Sequence, residues 1–246
     1  MNSGYYAATT GLVSRTEALD TIANNLANVS TAGFRANHNV FSSMLVSTGD
    51  SPLSVLNQDM NDYGVLSATQ LDTTQGALVH TGNELDLAIE GPGYFEVKTA
   101  SGSVYTRGGN FRVSPAGQLT TAAGDPVLGD NSKPVTIVGS PVSISSDGTI
   151  SVNGAISGRL KMVEFPPATQ IQSAGGTYYT APVGAAVPAT HSQVCQGMLE
   201  SSNVNPVTSV IELMTAQREV EAMRRVLTMF STEMDKTAAQ DLPRVS

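Results

Sequence analysis

Apolar positions change their period three times along the chain. From about Ser3 to Asn28, Tyr5, Leu12, Leu19 and Leu26 recur every seven residues, Ala8, Ile22 and Val29 take the second apolar position of the heptad, and Arg15 interrupts it. Two apolar positions per heptad make a narrow stripe, the pattern of a coiled-coil seam rather than of a wide globular face. At ~1.5 Å per residue this predicts a helix of roughly 39 Å, which needs a partner helix along its stripe. Asn24 and Asn25 sit inside it although asparagine is a poor helix former. Asn28, Ser30, Thr31 and Gly33 then predict a helix end and a polar turn. A weaker segment with Phe34, Val40, Phe41, Met44 and Leu45 reads as a short helix or irregular chain. From Ser47 to about Thr74 the residues turn to Ser, Gly, Asp, Asn, Thr and Gln, a connector with little core. A structureless loop of that length is uncommon inside a compact domain, so an extended arm packed on something else is expected.

From Gln75 to about Glu200 the period becomes two. Leu85, Leu87 and Ile89 alternate with Asp86 and Ala88. Tyr94–Lys98 and Ser103–Arg107 flank a turn at Ser101-Gly102, a hairpin signal. Further short strands are expected at Phe111–Val113, Gln118–Thr120, Val135–Val138, Val142–Ile144, Thr149–Val152 and Arg159–Phe165. Asp147-Gly148 and Asn153-Gly154 are strong two-residue turn signals. At Asn205-Pro206 an N-cap and a proline at the first helical position open a second helix. Leu213, Ala216, Val220, Met223, Leu227, Phe230 and Met234 follow at alternating spacings of three and four. This predicts another coiled-coil-like stripe, to about Ala239 and roughly 50 Å long.

The expected fold is therefore α+β and mainly β: a central β domain, a sandwich or irregular barrel, inserted between long N- and C-terminal coiled-coil-like helices. The expected parts are 1–46 (helix and turn), 47–74 (connector), 75–202 (β domain) and 203–246 (C-terminal helix, pairing with the N-terminal one). The candidate interface residues are Leu12, Leu19, Ile22, Asn25, Leu26, Asn28 and Val29 on the first helix and its turn. On the second they are Leu213, Val220, Met223, Leu227, Phe230 and Met234. A bare pair of such helices buries little apolar area, so neighbouring subunits are expected to cover the rest.

Charge and chemistry narrow the function. The formal net charge is −8 with 14% charged residues, a poor match to nucleic acid or an anionic membrane, which need clustered Lys and Arg. The single cysteine, Cys195, rules out an internal disulfide and a cysteine-based metal site; it reads as a small apolar residue. His191 is close to it in sequence, but proximity in a loop-like region is not a catalytic geometry. His38, His80 and His191 fall in three regions without metal-like spacing. Gly91-Pro92-Gly93 reads as a turn, since no helix and no Lys-Ser/Thr follows it. Glu84 and Asp86 share one face of a strand, more often a solvated face than a glycosidase pair. Met214, Met223, Met229 and Met234 read as core packing rather than a promiscuous groove. No apolar segment follows Met1 before the first basic residue, Arg15, so no cleaved secretory signal is expected. No run is long and apolar enough to span a bilayer. No cofactor is implied.

Several stretches together resemble one family. Ala23-Asn24-Asn25-Leu26-Ala27-Asn28-Val29-Ser30-Thr31-Ala32-Gly33-Phe34-Arg35 is similar to the N-terminal signature of the bacterial flagellar axial proteins, the rod, hook and hook-associated proteins. That family usually has Pro where this chain has Ala32. Gln75 to Phe95, Tyr105-Thr106-Arg107-Gly108-Gly109-Asn110-Phe111, the Gly117–Gly129 region and Glu200-Ser201-Ser202-Asn203-Val204-Asn205 resemble it too. The length, Ala216-Gln217-Arg218 and Met223-Arg224-Arg225 look more like the proximal rod branch than the distal rod or hook branches. The resemblance implies a non-enzymatic structural subunit of the basal-body rod, carrying torque from motor to hook. It also implies export through the flagellar type III apparatus and, as partners, other rod proteins and copies of itself. Within it the terminal helices would form the inner tube and the β domain the outer layer. The alternatives are another axial protein of the same family, or a β domain that binds or cleaves peptidoglycan.

Overall fold

The structure, a computed structural model, describes residues 2–42, 65–167 and 169–241. The described residues form one N-terminal helix, α1 (Asn2–Ala27), one C-terminal helix, α2 (Pro206–Asp241), and short strands between them. The strands are β1 (Asn37–Ser42), β2 (Val65–Leu71), β3 (Leu78–His80), β4 (Leu87–Glu90), β5 (Tyr94–Thr99), β6 (Gly102–Thr106), β7 (Arg112–Val113), β8 (Leu119–Thr120) and β9 (Val142–Ile144). After these come β10 (Thr149–Val152), β11 (Ala155–Arg159), β12 (Met162–Glu164), β13 (Gln172–Gly175), β14 (Tyr178–Thr180), β15 (Val187–Pro188), β16 (Gln193–Gln196) and β17 (Met198–Glu200).

Contacts divide the chain into two compact units. One holds 1–26, 37–70 and 206–246; the other holds 27–36 and 71–205. The second unit contains a six-stranded sheet in the order β13-β14-β6-β5-β12-β15, a three-stranded sheet β11-β10-β9, and the pairs β16-β4, β17-β3 and β7-β8. The hairpin read around Ser101-Gly102 is β5–β6, with Val97 opposite Val104. The Asn153-Gly154 turn joins β10 to β11 with Val152 opposite Ala155, and both turn residues have positive φ (52° and 79°). That is the type I′ geometry that matches the twist of paired strands. Leu87, Ile89, Phe95, Val97, Leu119, Val127 and Ile150 lie at zero exposure in the main core. Burial of each of these larger apolar side chains contributes about 1.5–3 kcal/mol. A second cluster joins Tyr94, Val163 and Tyr179 to Leu71, and Tyr105 packs edge-on to Phe165 at 4.9 Å.

Three expectations are corrected. First, the fold is mainly β with one helix at each end, and no long coiled-coil pair is evident. Among the residues of α1 whose side chains are described, 8–27, the buried ones are Ala8, Gly11, Ser14, Ala18 and Asn25, while Leu12, Leu19, Ile22 and Leu26 are only half-buried. Small side chains cannot act as the knobs a coiled-coil seam requires. On α2 Ala216 and Val220 are buried and Leu213, Met223 and Leu227 half-buried, but Phe230 is 45% exposed. Between the helices lies the Arg15–Glu219 ion pair at 3.1 Å, both partners nearly half-exposed, a contact worth little in water. Second, the Phe34–Phe41 segment is not helical: Asn37–Ser42 is a strand paired with Val65–Leu71. Met44, Leu45 and most of the expected connector lie outside the described residues, as does the side chain of Met234. Third, β4 does not alternate. Leu87, Ala88 and Ile89 are all fully buried because both faces of this strand are covered.

Candidate functional site: a buried arginine–glutamate clasp

The turn that ends α1 folds as its residues dictate. The Asn28 carbonyl accepts from the Thr31 amide at 3.1 Å, the Thr31 hydroxyl donates to Asn28 Oδ1 at 3.2 Å, and the Thr31 carbonyl accepts from the Phe34 amide at 3.3 Å. Gly33 follows with φ of 73°. A Cβ there would stand 2.2 Å from the Arg107 carbonyl carbon and 2.3 Å from the Gly108 nitrogen, so only glycine fits. The Gly33 amide donates to the Glu200 carbonyl at 2.7 Å. Phe34 and Ala36 bury against Val204, with Val29 half-buried beside them. The turn thus belongs to the β-rich unit.

Arg35 then enters that unit with its side chain fully buried. Its Nη1 lies 2.5 Å from Glu200 Oε1, an ion pair in which that nitrogen does not reach hydrogen-bond geometry. Arg107, also buried, approaches the same carboxylate from β6. Its Nη1 donates to Glu200 Oε2 at 3.1 Å and to the Ile89 carbonyl at 3.2 Å, its Nη2 donates to the Gly91 carbonyl at 2.5 Å, and its guanidinium sits 4.9 Å from the Tyr94 ring centre. Burial pulls the Arg107 pKa below its ordinary value, against the opposing pull of Glu200. Glu200 Oε1 also accepts from the Gly76 amide at 2.8 Å.

Two neutral residues complete the clasp. The Tyr179 hydroxyl donates to the Gly33 carbonyl at 3.2 Å and accepts from the Arg35 amide at 2.9 Å. Burial raises its pKa far above the ordinary tyrosine range, so it is a permanent neutral donor. Asn203 Oδ1 accepts from the Ala36 amide at 2.7 Å, and its Nδ2 donates to the carbonyls of Asp72 (3.2 Å) and Thr74 (3.1 Å). Gln75 bridges the Ile89 carbonyl (2.9 Å) and the Gly91 amide (3.1 Å). Segments around 33–36, 72–76, 89–91, 107 and 200–204 are thereby tied at one point.

This centre offers no nucleophile. Two guanidiniums share one carboxylate, an arrangement that fixes chain segments. Three further carboxylates, of Asp86, Glu84 and Glu164, are held by local hydrogen bonds. Asp86 accepts from the Thr81 hydroxyl at 2.7 Å and from Asn83 Nδ2 at 3.0 Å, and Glu84 Oε2 accepts from the Val142 amide at 3.3 Å. Asp86 is thus buried in a turn, not on a solvated face. Glu164 accepts from the Ser192 hydroxyl at 2.7 Å and the His191 amide at 2.8 Å, with His191 Nδ1 at 3.2 Å. The serine hydroxyl goes to the carboxylate and not to the imidazole, so this is not a catalytic triad. Cys195 lies in β16 beside Glu90, and burial followed by that charge raises its pKa, the opposite of thiol activation.

The residues expected to form an interface are distributed unevenly. Asn25 is buried and makes a two-point bond to Asn37: Nδ2 to the carbonyl at 2.7 Å and Oδ1 from the amide at 2.9 Å. Asn28 shapes the turn and Val29 leans on Phe34. The helix residues lie along α1 and α2 as described above. Arg35, Arg107, Tyr179 and Glu200 were not singled out from the sequence as a site. The available signal was that Arg35, Arg107 and Glu200 each lie in a different family-like stretch.

Those stretches define a flagellar axial protein. Residues 6–35 match the family described as Flagella basal body rod protein. Residues 88–152 match Flagellar hook protein FlgE/F/G D1 domain, and 196–241 match Flagellar basal body rod FlgEFG protein C-terminal. A Caulobacter vibrioides protein named flagellar basal-body rod protein FlgF is 32% identical, with all of both chains covered. Proteins of the same name from Mesorhizobium japonicum (31%, 96% of this chain and 98% of the relative) and Salmonella typhimurium (35%, 84% and 85%) are also similar. The chain belongs to the flagellar basal-body rod protein family.

Proposed function

We propose that this chain is a structural subunit of the flagellar basal-body rod and works by assembly rather than by catalysis. The observation that carries the reading is the clasp: Arg35, Arg107 and Glu200 come from three different stretches that resemble the family, and they meet in one buried charge cluster. The clasp holds residues 33–36, after α1, against residues 200–204, before α2, within the β-rich unit. In the rod the helices would pack with those of neighbouring copies and of other rod proteins through the candidate interface residues. The parts 1–46 and 203–246 would then act as the inner layer and 75–202 as the outer one, carrying torque by side-to-side contacts. Delivery by the flagellar type III apparatus, unfolded and without cleavage, completes the reading. Purified basal bodies test it: the chain is expected in the rod fraction of wild-type cells, at full length. Its absence there, or secretion that persists when the export apparatus is inactivated, overturns the reading.

A further inference from the structure

The stretch Phe165–Thr190 contains no Asp, Glu, Lys, Arg or His, in a chain in which 14% of residues are charged. It supplies both edges of the six-stranded sheet, β13 with β14 on one side and β15 on the other. All of β13, Gln172 to Gly175, is exposed. Edge strands are usually guarded by lysine, an inward charge or proline against pairing with another chain. Here β15 has Pro188, while β13 has neither charge nor proline and only a register irregularity between Ser173 and Gly175. Beside β13 lies an open cleft of about 260 Å³ lined by Gln170, Gln172, Thr180, Ala181 and Pro182. The next residue, Val183, is fully exposed.

We propose that this uncharged lobe, β13 with the cleft and Val183, is the side-by-side contact with a second copy of this chain, a proposal that rests on the rod reading. The argument for a second copy is electrostatic. Copies that each carry −8 repel one another, and like charges brought together at an interface cost several kcal/mol. Identical acidic chains approach without that cost where the facing surfaces carry no charge, as this lobe does. A basic partner would find nothing there to recognise. The lobe offers backbone groups along β13, an apolar knob at Val183 and a cleft beside it. An interface core depleted of charge is the usual composition.

The test uses the full chain with a photo-crosslinking residue in place of Val183, beside the variants A174K and V183E. In concentrated purified protein, illumination is expected to give a covalent dimer, at least tenfold reduced when A174K is added to the crosslinking chain. In cells, wild-type protein is expected in isolated basal bodies, where the crosslink again joins two copies. A174K and V183E are expected to keep the wild-type melting temperature but to enter basal bodies at least tenfold less. Normal incorporation of both variants, or crosslinks only to a different protein, overturns the contact while leaving the rod reading intact. Wild-type protein missing from basal bodies while the purified dimer forms overturns the rod reading and leaves the contact standing.

Discussion

At the residue scale, the molecule depends on one buried carboxylate. Glu200 is the counter-charge for Arg35 and Arg107 and also holds the Gly76 amide. Removing one partner of a buried ion pair leaves uncompensated charge and costs about 3–5 kcal/mol. Glu200→Gln is therefore expected to lower the unfolding free energy of the β-rich unit by that order, read as a lower denaturant midpoint, and to speed amide exchange at 33–36. Replacing all three charged residues together by Met or Leu is expected to recover part of the loss, as apolar replacement of buried ion clusters does. An unchanged midpoint for Glu200→Gln shows that the cluster is not a clasp. Glu164 gives a pH test. Burial pushes its pKa up, but hydrogen bonds from Ser192 and His191 outweigh this and hold it below the ordinary value. The folded form thus binds this proton less tightly than the unfolded chain. Its stabilisation is complete above the unfolded value of about 4.3 and is lost as pH falls through the lower folded value. Urea unfolding between pH 6 and 3 is expected to show a decline that Glu164→Gln flattens; identical pH profiles refute the assignment.

At the scale of elements, helix positions and lengths agree with the sequence pattern, and their packing does not. α1 buries Ala8, Gly11, Ser14 and Ala18 rather than its leucines. The heptad is real as a pattern, but a stripe does not say which neighbour covers it. α2 keeps its expected stripe from Leu213 to Leu227 and then exposes Phe230. Half-buried leucines on long helices gain most of their stability from packing, so covering them favours assembly. The double variant Leu19→Asp/Leu227→Asp places two charges where burial is costly. Both positions lie outside the β-rich unit, so its thermal melt is expected to stay unchanged while co-sedimentation with basal bodies is lost. Normal incorporation shows that these stripes are not the assembly interface, and collapse of the melt shows that helices and strands share one core.

At the scale of the whole molecule, two units of different character are joined in one chain. The β-rich unit holds the main core and the clasp, whereas much of the α2 surface is exposed. In the isolated protein, amides of residues 8–27 and 206–232 are expected to exchange at least tenfold faster than those of β4, β5 and β12. In the assembled rod both helices are expected to become protected together. Uniform protection in the monomer counts against assembly as the source of helix stability. The sequence by itself determined what is local: two helices, the Asn153-Gly154 hairpin and a β-rich middle. These follow from period and turn chemistry, which act over a few residues. Only the tertiary structure decided that Asp86 is buried, that β4 is covered on both faces, that α1 packs through its small residues, and that Arg107 and Glu200, 93 residues apart, share a carboxylate bond with Arg35. The physical reason is that burial and charge pairing depend on which distant segment arrives opposite a residue. A pattern along the chain gives a side chain its direction and not its partner.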